Sequence, residues 1–262
     1  MRLAKKMSPE NISAKVQKIN EMVAPFTVPL MLLPSIDSQP NDVIASGSGA
    51  LISTGQRDLL ITCHHVWMKF LEFRASNKDA VIGMGRGTSL EVAEITDLAV
   101  VDSYKALDLA IIDLTDTGIL DGTSKRYVSS PDWPPQRPEV GEFLVAMGFP
   151  GSERCAIDEG RNIRFRSTTL MDYIVSVSDR HVAVADEDGV REIFSTIYEE
   201  MPEGFSFGGM SGCPAFVNRN GGLEFSGILY ESDDDKSGIF FFTHADLILS
   251  DGRIDWPRVP PE

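Results

Sequence analysis

Apolar positions along this chain keep two rhythms. Ile12, Val16, Ile19 and Val23 recur at helical spacing, and Ser8-Pro9-Glu10 just ahead of them supplies an N-cap, a first-turn proline and an acidic residue. Residues 9–23 are therefore expected to form one amphipathic helix. After Pro25 the period shortens. Runs at 26–33, 48–53, 59–62, 81–84, 90–101 and 109–114 read as strands, separated by turn-rich stretches such as Thr54-Gly55-Gln56-Arg57-Asp58. From 116 to 139 the pattern lapses among Pro131, Pro134, Pro135 and Pro138. Strands resume at 143–148, 163–169, 173–177, 182–185, 193–197, 215–217, 225–230 and 239–242, with Asn220-Gly221 as a hairpin signal and a short helix at 245–249.

Short strands in two groups of about six predict an all-β chain of two six-stranded antiparallel barrels, with an N-terminal and a short C-terminal helix. The expected divisions are a helical extension at 1–24, a first barrel at 25–118, a linker at 119–138, a second barrel at 139–250 and a tail at 251–262.

Composition narrows the partners. The 262 residues are 42% hydrophobic and 24% charged, as in ordinary globular proteins, and their net charge of −15 would repel a nucleic-acid backbone. That charge reads first as solubility, and the local acidity of Glu231 and Asp233-Asp234-Asp235 as its sharper alternative, a preference for basic segments of a substrate. No apolar run reaches membrane-spanning length, and polar Ser8–Asn11 follows the basic start where a signal peptide would be apolar. Three cysteines, an odd number without disulfide or metal-ligand spacing, agree with a cytoplasmic protein carrying neither metal nor cofactor.

One segment invites chemistry. In Gly208-Gly209-Met210-Ser211-Gly212-Cys213-Pro214, glycines free the backbone around a single serine. Such a bend can project a hydroxyl and aim successive N–H groups at one point. A serine nucleophile also needs a base and a group that orients the base. Of His64, His65, His181 and His244, the first two end the apolar strand 59–62 and would be held rigidly. His181 reads as a surface turn residue and His244 as a helix start. Asp108 opens an apolar strand and is the preferred carboxylate, with Asp97 of Asp97-Leu98-Ala99-Val100 as its competitor.

Together these segments resemble the trypsin-like serine peptidases of chymotrypsin fold. Ile61-Thr62-Cys63-His64-His65-Val66 is similar to that family's Thr-Ala-Ala-His segment, Asp108-Leu109-Ala110-Ile111-Ile112 to its Asp-Leu-Ala-Leu-Leu, and Gly209–Pro214 to its Gly-Asp-Ser-Gly-Gly-Pro. Gly47-Ser48-Gly49-Ala50-Leu51-Ile52 and Ala146-Met147-Gly148-Phe149-Pro150 also resemble its strands, so the likeness covers roughly 26–250. It implies His65 as general base, Asp108 as its orienting group, and Ser211 as nucleophile, with the N–H groups of Gly209 and Ser211 as oxyanion hole. It also implies a substrate pocket with Phe205 at its base and Tyr230, Glu231, Ser232 and Gly238 along its walls.

Departures from the family matter as much. Phe205 stands where trypsins carry an aspartate, and Leu229 where glutamate-specific relatives carry a histidine, so a shallow apolar pocket is expected. Met210 replaces the aspartate that pairs with a freed N-terminus in secreted zymogens, and no Ile-Val-Gly-Gly start is present. The expected activity is serine endopeptidase hydrolysis of a protein or peptide, either as synthesised or after an activating or regulatory protein partner orders the turn. The alternative is a catalytically silent peptidase-fold module that binds peptides or proteins.

Overall fold

A computed structural model describes residues 17–35, 37–38, 42–85, 92–130, 132–157, 162–185, 192–195, 206–219, 221–232 and 239–259; for 155–157, 162–163, 192–195 and 232 it describes the backbone alone. Residues 17–23 form a helix, α1; the rest of the expected 9–23 helix lies outside the described residues. Asn220 of the expected hairpin turn does too, but Arg219 pairs with Gly222 across it, and Gly221 takes the positive φ of +79° that a tight turn needs.

The chain is predominantly β. The first half builds one sheet from β1 (Thr27–Leu33), β2 (Ala45–Ser53), β3 (Asp58–Thr62), β4 (Val81–Gly85), β5 (Val92–Glu94), β6 (Val100–Tyr104) and β7 (Leu109–Asp113). Their spatial order is β5-β4-β1-β2-β3-β7-β6, and the short β8 (Val128–Ser129) pairs in parallel with β2. Every residue of β1 is buried, as its unbroken apolar run requires of a strand covered on both faces.

The second half contains β9 (Phe143–Gly148), a ribbon of β10 (Arg154–Ile157) and β11 (Asn162–Phe165), then β12 (Thr168–Val177) and β13 (His181–Val184). β14 (Glu192–Ser195), β15 (Pro214–Arg219), β16 (Gly222–Ser232) and β17 (Phe240–His244) complete it. Antiparallel pairing runs β13-β17-β16-β15-β9-β12 and returns from β12 to β13, closing a six-stranded barrel. Of the two barrels expected, this one is closed by its pairing; among the described residues the first-half sheet keeps unjoined ends.

One apolar cluster joins the halves, with Leu51, Leu60 and Ile111 packed among Val145, Phe216, Phe225 and Ile228. A second fills the closed barrel with Leu144, Ile174, Val184, Phe240 and Phe242, and it takes in Met210 and Cys213 from either side of Ser211. Burying Met210 contributes roughly 1.5–3 kcal/mol, so packing anchors the serine turn on both flanks. The 119–138 linker is fastened as well: Lys125 Nζ donates to the carbonyls of Ala24 (2.8 Å) and Thr27 (2.6 Å), and Trp133 Nε1 to that of Ile248 (2.8 Å).

Several local expectations need correction. The predicted strand 90–101 breaks at Thr96-Asp97, where the Thr96 hydroxyl accepts the Ile82 N–H and turns the chain. The run 163–169 divides between β11 and β12, and the predicted strand 173–177 is the far end of β12. A thirteen-residue helix, α2 (His64–Ser76), follows β3 where the sequence suggested none, burying Val66, Trp67 and Phe70 on one face. The expected 245–249 helix is a single 3-10 turn at Ala245–Leu247. Among the described residues no helix is long and apolar enough to cross a membrane.

Candidate active site

Strand β3 delivers its histidines to the start of α2. Cys63 is the extended residue at the N-cap, and its side chain makes no capping bond, so the first N–H groups of the helix need acceptors from elsewhere. Asp108 supplies both. Its carbonyl accepts the His64 N–H (3.1 Å) and its Oδ1 accepts the His65 N–H (2.8 Å). This reach depends on an unusual backbone, φ 50° and ψ 44°, a left-handed conformation that aspartate tolerates better than most residues. Its negative charge also faces the positive end of the helix dipole.

The second carboxylate oxygen lies 2.6 Å from His65 Nδ1. A carboxylate only accepts, so Nδ1 carries a proton, and in the neutral ring Nε2 keeps its lone pair. Asp108 is 17% exposed and His65 53%: the anion is shielded while the ring opens toward solvent. Asp97, the competing carboxylate, binds Arg74 at 2.8 Å instead. His64 Nδ1 lies 2.8 Å from the Ser103 hydroxyl, so of the two adjacent histidines only His65 meets Asp108 through its ring.

Cys63 closes the rear of this pair. Its thiol is buried and donates to the Leu229 carbonyl at 3.1 Å. Burial first, and then the charge of Asp108, push its pKa well up, so it stays a neutral thiol. One donor atom each of Cys63, His65 and Asp108 fall within 4.8 Å of one another, the arrangement among the described residues that could hold a metal ion. Two of those donors already bond each other and the third is a thiol, so the set suits proton handling better than a soft cation.

The Ser211 turn is fixed carbonyl by carbonyl. Gly208 O accepts from Gly151 N (2.7 Å), Gly209 O from the Ser48 hydroxyl (2.8 Å), Met210 O from Cys213 N (2.9 Å) and Ser211 O from Ser48 N (2.9 Å). The N–H groups of Gly208, Met210, Gly212 and Cys213 are likewise engaged. Those of Gly209 and Ser211 have no acceptor among the described residues. A trans peptide points its N–H opposite its carbonyl, so anchoring Gly208 O on Gly151 turns the Gly209 N–H the other way.

Two glycines make this path sterically open. Gly209 (φ +100°) and Gly212 (φ +93°) occupy conformations side chains rarely adopt, and a Cβ on Gly212 would lie 2.1 Å from the Ser48 carbonyl oxygen. The turn also abuts the histidine strand. Ser48 O accepts from Thr62 Oγ1 at 2.7 Å, and Leu229 O accepts from both Cys63 Sγ and Gly212 N. No hydrogen bond joins the Ser211 hydroxyl to His65 among the described residues.

Of the expected pocket residues, Phe205 and Gly238 lie outside the described residues, and Ser232 is placed by its backbone, opposite Phe240. Tyr230 is the extra residue of a bulge between Leu229 and Glu231, a device that re-aims one side chain beside a site. Burial, then the charges of Glu231 and Asp108, raise its pKa to about 12. Glu231 is exposed. His181 is not a surface turn residue; it begins β13 half-buried, its ring 5.3 Å from Phe241 and 6.5 Å from Tyr230. His244 caps the 245–247 turn as expected, and its buried ring bonds the Ser178 carbonyl at 2.8 Å.

Sequence reasoning missed Ser48, Thr62 and Cys63 as parts of the site. A serine between Gly47 and Gly49 was the only available signal, since both glycines sit where a Cβ would strike neighbours at 2.6 Å. No family model matches the chain, and no curated protein matches it.

Proposed function

We propose that the chain is a serine endopeptidase of trypsin-like architecture, with the first-half sheet corresponding to the family's first barrel and the closed barrel to its second. The observation that carries the proposal is the Asp108–His65 hydrogen bond through Nδ1, which directs the lone pair of the neutral ring to Nε2, beside a turn whose Gly209 and Ser211 N–H groups have no acceptor among the described residues. Ser211 Oγ attacks the carbonyl carbon of a peptide bond while His65 Nε2 takes its proton. The imidazolium that forms is stabilised by Asp108, and the oxyanion receives hydrogen bonds from Gly209 and Ser211. His65 then protonates the leaving amine, and water, deprotonated by the same nitrogen, releases the acyl group from Ser211.

A fluorophosphonate probe, which phosphonylates activated serines, tests the assignment. Labelling should map to Ser211 and disappear in His65→Ala. Ser211→Ala should keep its melting temperature and lose turnover by about 10⁶, as in other serine peptidases. A silent peptide-binding module would retain peptide binding without labelling, and the absence of a Ser211–His65 hydrogen bond is the observation in its favour.

A further inference from the structure

The turn that bears Ser211 raises a question of regulation: whether the Gly209 and Ser211 N–H groups, without an acceptor among the described residues, converge in the isolated protein or only after a partner orders them. Ser48 decides it. This residue is fully buried in β2, on the opposite half of the molecule from Ser211, and it holds the turn from both its backbone and its side chain. Its N–H donates to Ser211 O (2.9 Å); its hydroxyl donates to Gly209 O (2.8 Å) and accepts from Phe149 N (2.9 Å). The Ser48 carbonyl is in turn held by Thr62 Oγ1, three residues before His65.

Each bond removes a specific freedom. A glycine-rich turn loses an oxyanion hole by rotating a peptide plane, which swaps a carbonyl for an N–H. The Gly209 and Ser211 N–H groups lie in the 208–209 and 210–211 planes, whose carbonyls accept from Gly151 N and Cys213 N; the Ser48 hydroxyl and N–H hold the carbonyls of the 209–210 and 211–212 planes that flank them. Rotating 208–209 would break the Gly151 bond to Gly208 O, and Gly151 follows directly on Phe149-Pro150, the segment the same hydroxyl holds. Each rotation forfeits at least one of these hydrogen bonds, so the alternative turns are disfavoured.

We propose, resting on the peptidase assignment, that Ser48 is a positioning residue that keeps the Gly209 and Ser211 N–H groups set in the isolated chain, so the site needs no partner to complete it. Ser48 touches neither substrate nor the reacting atoms; it acts through the turn.

The test compares wild type, Ser48→Ala and Thr96→Val, using p-nitrophenyl acetate hydrolysis and fluorophosphonate labelling. Thr96→Val removes the buried hydrogen bond to the Ile82 N–H, which shares no partner with the turn, and so measures the general cost of losing a buried hydroxyl from the first-half sheet. Purified wild type should hydrolyse the ester and label at Ser211 with nothing added. Ser48→Ala should lower kcat roughly 10- to 100-fold, below the full loss of an oxyanion donor, with KM changed less than about twofold. Thr96→Val should stay within about threefold of wild type. Equal losses in the two variants, or a Ser48→Ala kcat near wild type, overturn the proposal. So does wild-type protein that labels at Ser211 only after a cell extract is added, which would leave the peptidase assignment standing. Wild type that stays inert under every condition overturns both. The wild-type measurement does not depend on whether Ser48→Ala folds.

Discussion

Asp108→Asn separates the chemistry of the site from its architecture. Asparagine matches aspartate in shape and tolerates the left-handed backbone at φ 50°, so the chain path around residue 108 is preserved. Its carbonyl oxygen can still accept the His65 N–H at the start of α2. What changes is the atom facing His65 Nδ1: an amide NH₂ donates, so Nδ1 must accept and the ring proton moves to Nε2. That nitrogen can no longer take a proton from Ser211. The same tautomer inversion in the Ser-His-Asp template lowers kcat about 10⁴-fold, roughly 5.5 kcal/mol at 1.36 kcal/mol per decade. The structural cost is smaller: a weakened cap bond and a lost charge at a helix N-terminus amount to about 1–2 kcal/mol. Second-order rates of fluorophosphonate labelling and thermal melts, measured side by side, should show a loss of about four decades against a Tm drop of a few degrees. Labelling within tenfold of wild type would refute the proton path through His65. Global unfolding of Asp108→Asn would show that Asp108 serves the fold first.

The remaining expectations are more local. Gly212→Ala forces a Cβ to 2.1 Å from Ser48 O and 2.4 Å from Thr62 Oγ1 at a φ of +93°, so stability should fall by roughly 3 kcal/mol or more and labelling should vanish; a normal melt would contradict the placement of the turn. Burial of His244, against a raising bond to Ser178, lowers its pKa to about 4. The native state therefore refuses a proton that the unfolded chain accepts below about 6.5, so this group's stability is present above pH 6.5 and lost as pH falls toward 4. The loss approaches about 3 kcal/mol, and urea midpoints should show it in wild type and much less of it in His244→Gln. Opposite Ser232, the buried ring of Phe240 lies 5.0 Å from that of Phe207. Peptide-library profiling should accordingly favour small apolar residues before the scissile bond, and cleavage after Arg, Lys or Glu would contradict an apolar, partly filled pocket.

Much of this was legible in the sequence because local pattern and burial agreed. The apolar run 59–62 ends abruptly at two histidines and Asp108 opens the apolar run 109–112, so both partners of the His65–Asp108 hydrogen bond stood out, with the family resemblance choosing His65 over His64. Where the sequence misled, tertiary contacts overrode a local signal. Residues 90–101 look like one strand because Leu90, Val92, Ile95 and Leu98 keep apolar positions through it, yet Ile95 is fully buried at a corner made by Thr96. Helix α2 went unseen because Val66, Trp67 and Phe70 follow a strand of similar apolarity, and its N-terminal acceptors come from Asp108 rather than from a capping residue nearby. Ser48 had only its flanking glycines to mark it, since its hydroxyl meets a carbonyl 161 positions away.

The central claim is that Ser211 takes an acyl group from its substrate, assisted by His65 and Asp108. It is tested most directly by mixing purified protein with p-nitrophenyl acetate, quenching in acid within the first turnover, and mapping the acetyl group by peptide mass spectrometry. An acetyl ester on Ser211, missing from His65→Ala and Asp108→Asn at the same time point, is the predicted result. An acetyl group elsewhere, or none while hydrolysis proceeds, would contradict it.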